Sequence, residues 1–95
     1  MARKDPTIAR RWIVRGRVQG VGFRFFVLRC ATGIGVRGHV RNLGDGGVEV
    51  VAAGSRRQLD ELAGYLHTGP LLSEVRAVEE SETAIPAQKS FVLRH

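Results

Sequence analysis

Cysteine occurs once in these 95 residues, at Cys30. No internal disulfide is therefore possible, and a reducing compartment, the cytoplasm, is the expectation. The thiol falls on an apolar stretch, where a free cysteine is an inert core group rather than a nucleophile. No apolar run approaches the ~18 residues that cross a bilayer. The opening Met1-Ala2-Arg3-Lys4-Asp5-Pro6 is polar and lacks the apolar segment of a secretion signal, so residues 1–9 read as a flexible tail before one domain over 10–95. The three histidines, His39, His67 and His95, have no metal-ligand spacing, and no metal or cofactor is expected. A paired carboxylate, a Ser–His–Asp set and a Cys–His pair are also missing. Acid is scarce: nine Asp and Glu stand against fifteen Lys and Arg, a net charge of +6. Lysine is scarce too, since thirteen of those fifteen are Arg, which favours partners bearing phosphate or carboxylate.

What is present is patterned. Residues 11–18 alternate and are rich in Ile, Val and Trp, predicting a strand. Phe23, Phe26, Val27, Cys30 and Ala31 recur at helical spacing over 23–32, and Gly33 and Gly35 are expected to stop that helix. Val36–Leu43 alternates again, with Val36, Gly38, Val40 and Asn42 on one side and Arg37, His39 and Arg41 on the other. Gly44-Asp45-Gly46-Gly47 is a hairpin signal leading into a third strand over 47–53. Ser55 to Gln58 forms a capping box before the apolar stripe Leu59, Leu62, Ala63 and Leu66, and Gly69-Pro70 ends that helix. Val75–Val78 predicts a fourth strand and Phe91–Leu93 a short fifth. The order β-α-β-β-α-β predicts an α+β, ferredoxin-like sandwich: an antiparallel sheet carrying two helices on one face.

Between the first strand and first helix stands Gly16-Arg17-Val18-Gln19-Gly20-Val21-Gly22-Phe23-Arg24. Glycine adopts positive φ without penalty, so this run can turn tightly and aim several N–H groups inward at a helix N-terminus. Such a concavity seats an anion, and Arg24 can add a guanidinium fork matched to phosphate oxygens. An arginine there opposes the helix dipole unless an anion sits beside it. In the split topology the first and second strands run the same way with the third between them, so Asn42 ends at the same sheet edge as the glycine loop. The run lacks the Gly-Lys-Ser/Thr ending of a nucleotide P-loop. An anion seat without a protein nucleophile suits a phosphorylated substrate with a good leaving group, needing only a held phosphoryl group and an oriented water. An amide such as Asn42, which donates and accepts and does not titrate, suits the second task.

The run 16–24 resembles the signature loop of the acylphosphatase family. Gly38-His39-Val40-Arg41-Asn42-Leu43 with Asp45-Gly46 and Val48-Glu49-Val50 resembles its second signature. Gly69-Pro70, Val75 and Phe91 match later landmarks, so the likeness spans roughly 10–94. The resemblance implies a small hydrolase that cleaves the carboxyl–phosphate anhydride of acyl phosphates without a metal. It implies Arg24 as the phosphate-binding arginine, Asn42 as the water-positioning asparagine, and phosphate contacts along Gln19, Gly20, Val21, Gly22 and Phe23. In that picture the phosphate itself takes the water's proton. His39 departs from the family's usual bulky aromatic; opposite Asn42 in strand parity, it is expected to alter packing or surface rather than chemistry.

Phe23 and Phe26 are expected in the core, and Arg17 and Arg41 as solvated charges. Two other readings compete. A ferredoxin-like sheet at +6 suits an RNA-binding module, but Phe23, Phe25 and Phe26 fall in the loop and helix rather than on strands that could stack bases. A hydrolase retired to phosphate sensing or partner binding would keep the same residues. The expectation is a monomer acting on a small acyl phosphate, with no nucleic acid and no membrane.

Overall fold

The computed structural model describes residues 5–95. The elements run β1 (Ile8–Arg17), α1 (Phe23–Ile34), β2 (Arg37–Asn42), β3 (Val48–Gly54), α2 (Arg56–Thr68), β4 (Glu74–Glu82) and β5 (Phe91–Leu93). One five-stranded sheet has the order β4-β1-β3-β2-β5. Strand β3 lies antiparallel between β1 and β2, as the split topology requires, and β4 is antiparallel to β1. The fold is the ferredoxin-like α+β sandwich.

Four expectations need correction. The sheet is mixed, because β5 pairs parallel to β2. The path explains the direction: β4 ends beside the start of β1, and residues 83–90 cross that end of the sheet, held by Arg37 Nη1 donating to the carbonyls of Pro86 (3.0 Å) and Gln88 (3.2 Å). The chain thus enters β5 beside the start of β2 and runs with it. Helix α1 passes through Gly33 to Ile34: Gly33 stands in the last turn, where a glycine is tolerated, and Ile34 packs against the core. Gly35 is the C-cap, its N–H donating to Ala31 O at 2.9 Å. Strand β4 extends well beyond Val75–Val78, since its sequence EVRAVEESE has too little alternation to mark its length; charges on such an edge strand discourage pairing with other chains. The strand pairing begins at Ile8, inside the stretch read as a tail of nine residues; residues 1–4 of that stretch lie outside the described residues.

The core sits between the sheet and the helices. Trp12 and Val14 of β1, Phe23, Val27 and Ala31 of α1, Val40, Val48 and Val50 of the central strands, and Leu59, Leu62 and Leu66 of α2 are all buried there. The period-2 and period-3.6 patterns of the chain converge on this single layer. The capping box opens α2 as expected: Ser55 Oγ accepts from Gln58 N at 3.2 Å and Gln58 Oε1 accepts from Ser55 N at 2.9 Å. On the opposite face of the sheet, Glu49 accepts from Arg11 Nε at 2.7 Å and Arg41 Nε at 2.6 Å. Arg41, read from sequence as a solvated charge, is therefore tied to a buried carboxylate. His39 shares that face: its Nε2 lies 3.6 Å from Glu49 Oε1, and its Nδ1 lies 3.4 Å from Gln88 Oε1. Its ring points away from the face that carries Asn42.

Candidate active site

The glycine loop leaves β1 after Arg17, with Gly20 (φ +74°) and Gly22 (φ +77°) in the left-handed region that an L side chain resists. Gly22 is also the N-cap of α1, and no side chain caps the helix there. No acidic residue stands in its first turn. The first intrahelical bond, Phe26 N to Gly22 O at 3.0 Å, leaves the N–H groups before Phe26 without helical partners. An uncapped helix start beside a left-handed glycine loop is an electropositive concavity of N–H groups.

Arg24 extends from the first turn of α1 toward the end of β5. Its Nη1 donates to Arg94 O at 2.9 Å and lies 3.4 Å from His95 Nδ1. Arg94 is itself fastened to β2, its N–H donating to Val40 O at 2.8 Å. One guanidinium nitrogen is thereby anchored, and among the described residues Nε and Nη2 of the fork have no hydrogen-bond partner. Arg24, Gly20, Gly22, Phe23 and Asn42 line one pocket of about 150 Å³, together with Val18 and Phe25. The parallel course of β1 and β2 explains the meeting of Arg24 and Asn42, although eighteen positions separate them.

Gln19 and Val21 behave differently from the rest of the loop. Gln19 Nε2 donates to Leu43 O and to Gly47 O, both at 2.8 Å. Leu43 N also donates to Gly47 O, at 2.8 Å. The amide thus ties the glycine loop to the β2–β3 turn immediately after Asn42. Asp45 holds the same turn from the other side, accepting from Gly47 N at 3.0 Å and from Arg15 Nη1 at 3.0 Å. These bonds to Gly47 and Arg15 keep the Asp45 carboxyl below its ordinary range. Val21 packs toward the core. The side chains of Gln19 and Val21 therefore serve the loop's shape, and phosphate could meet them only through their backbone N–H groups.

Sequence reasoning missed Phe25 and the Arg94 carbonyl. The first falls next to Arg24 and carried a signal in its exposed helical position; the second lies 70 residues away and carried none. Among the described residues no group of three His, Cys, Asp or Glu side chains is placed to hold a metal ion. The Cys30 thiol, raised above its ordinary pKa by burial and lowered only partly by Arg29, is held in its unreactive form.

A model of the family described as acylphosphatase matches residues 10–93. The chain belongs to the acylphosphatase family. An acylphosphatase of Solibacter usitatus is 55% identical over 90 residues, covering 95% of this chain and 94% of that protein. Among solved structures, an acylphosphatase from Coxiella burnetii superposes with a TM-score of 0.89 at 34% identity, covering 99% of this chain and 100% of its own. The acylphosphatase from Bacillus subtilis gives a TM-score of 0.88 at 34% identity, covering 93% of this chain and 99% of its own. The matched span holds every residue of the acylphosphatase pocket, from Val18 to Asn42.

Proposed function

We propose that this acylphosphatase hydrolyses the carboxyl–phosphate anhydride of small acyl phosphates, with the phosphoryl group seated in the 18–24 loop. The observation that carries the reading is the convergence of Arg24, the uncapped start of α1 and Asn42 on one small pocket. Backbone N–H groups from Gln19 to Phe23 and the Arg24 guanidinium bind the phosphoryl oxygens. Their charge and dipoles are fixed before substrate arrives, so stabilising the extra charge of the transition state requires little reorganisation. The Asn42 amide holds a water in line with the phosphorus–oxygen bond to be broken. Water oxygen attacks phosphorus, the bond to the carboxyl oxygen breaks with its electron pair leaving on the carboxylate, and a phosphate oxygen takes the proton of the water. The products are a carboxylate and inorganic phosphate. The carboxylate is a good leaving group and the phosphate its own proton acceptor, so the step asks for no side-chain base or nucleophile.

The same reading makes the protein a cytoplasmic monomer that works without a metal and without nucleic acid. Trp12, the strand aromatic an RNA-binding sheet would expose, is buried in the core instead. No helix among the described residues is long and apolar enough to cross a membrane. The test is hydrolysis of benzoyl phosphate in excess chelator by the intact protein, Arg24→Ala and Asn42→Ala. Turnover should survive chelation and fall about 10³-fold or more in Arg24→Ala, with the circular dichroism unchanged. Asn42→Ala should lose kcat while its inhibition constant for inorganic phosphate stays within a few-fold. A folded Arg24→Ala protein with full activity would refute the assignment.

A further inference from the structure

We infer that Phe25 is the seat of the substrate's acyl group and biases the enzyme toward acyl phosphates with an aromatic or bulky apolar acyl chain. The inference rests on the proposed phosphate site and extends it to the other half of the substrate. The pocket holds about 150 Å³. In the proposed site the phosphoryl group and the attacking water belong with Arg24, Asn42 and the loop N–H groups, which leaves the acyl chain to the apolar, open part of the lining.

The lining of the mouth is chemically uneven. Val18 and Phe23 are apolar but buried beneath the loop, Gly20 and Gly22 offer no side chain, and Arg24 and Asn42 are polar. Phe25 alone among the lining residues is both apolar and open to solvent, at 66% exposure. Its neighbour Phe26 shows what an aromatic on this helix otherwise does, packing against Phe23 and Tyr65 at centroid distances of 6.1 and 6.4 Å. Phe25 takes no part in these aromatic pairs. A phenyl ring left on the first helical turn, next to the arginine that would hold the phosphate, presents an apolar face where the acyl carbon chain emerges. An aryl group meeting that ring gains both area burial and an aromatic contact, whereas an acetyl methyl gains little of either.

The experiment compares kcat/KM for benzoyl and acetyl phosphate in the intact protein, Phe25→Ala and Phe25→Leu, with inhibition by inorganic phosphate measured alongside. The two leaving groups differ intrinsically, but that difference is common to all three proteins and cancels when their benzoyl-to-acetyl ratios are compared. The ratio should fall about three- to tenfold in Phe25→Ala, less in Phe25→Leu, while the inhibition constant for phosphate stays within about twofold. An unchanged ratio overturns the inference. So does an equal loss on both substrates with weakened phosphate inhibition, which would give Phe25 a part in shaping the cradle. Absence of turnover on either substrate by the intact protein would instead refute the reading of the site on which the inference stands.

Discussion

Replacing Glu49 by glutamine should destabilise the protein by an amount that depends on pH in a stated way. Glu49 lies in β3 opposite Ile13 of β1 and Arg41 of β2, and only 5% of it is exposed. Burial alone would push its carboxyl upward, but the bonds from Arg41 and then Arg11 outweigh burial and bring it down from 4.5 to about 2. At about 1.36 kcal/mol per unit, this corresponds to about 3 kcal/mol. The two arginine side chains are 40% and 41% exposed, so solvent screening trims the figure to roughly 2–3 kcal/mol. The Glu49→Gln variant keeps one acceptor and turns an N–H toward an arginine N–H, so it should lose that amount at pH 7. For a domain of this size the melting temperature would drop by about 10–20 °C.

The sign follows from the depressed folded-state value. Unfolded Glu49 binds a proton more readily than folded Glu49, so the stabilisation is complete above the unfolded value and is lost as pH falls toward 2. Urea unfolding followed by the fluorescence of Trp12, buried in the folded state, would measure intact protein and variant at pH 7, 4.5 and 3. The gap in stability should be widest at pH 7 and shrink to about half at pH 3. A gap of the same size at pH 3 and pH 7 would refute the reasoning, because the loss would then come from packing rather than from charge.

Two further perturbations address the site. Gln19→Leu removes both bonds to the β2–β3 turn and should cost about 2 kcal/mol of stability; because misplacing a reacting group is costly, kcat on benzoyl phosphate should fall roughly tenfold with phosphate inhibition little changed. A matched loss of kcat and phosphate binding would show instead that Gln19 serves the cradle alone. Gly22→Ala has open space around the added carbon but must hold φ at +77°, so backbone strain of about 1–2 kcal/mol is the whole penalty; calorimetric titration with inorganic phosphate should show weakened binding in a folded protein.

Much of this architecture is legible in the chain because it is local. The alternation of β1, β2 and β3, the helical spacing of α1, the capping box at Ser55 and Gln58, and the glycine-rich turn at 44–47 each carry their signal within a few residues. The meeting of the glycine loop with Asn42 is legible one level up, since the connection handedness of the split fold leaves few alternatives. What the chain conceals is non-local or lacks contrast. Strand β4 is two-thirds polar at the sheet edge, and its apolar Val75, Ala77 and Val78 do not keep an alternation to its ends, so no hydrophobic period marks them. Nothing near Gln19 distinguishes an amide that braces a turn 24 residues onward from one solvated on a loop. The buried Glu49 sits among Val48, Val50 and Val51, and its arginine partners come from two other strands.

The parallel entry of β5 carries the furthest structural consequence. An antiparallel fifth strand would run away from the glycine loop and finish at the opposite end of the sheet. Running with β2, it delivers Arg94 to the edge where α1 begins, and the Arg94 carbonyl takes one N–H of Arg24. A backbone carbonyl anchored by its own residue's bond to Val40 is a stiffer partner than a flexible side chain. It neutralises no charge, so the full positive charge of Arg24 still faces the pocket. The sheet edge therefore fixes the arginine from behind through β5, while the Gln19 brace fixes the loop relative to Asn42 from the side. In the proposed reaction the phosphoryl group would meet an arginine and a loop anchored by these bonds, which is the condition under which such groups accelerate phosphoryl transfer rather than merely bind its substrate.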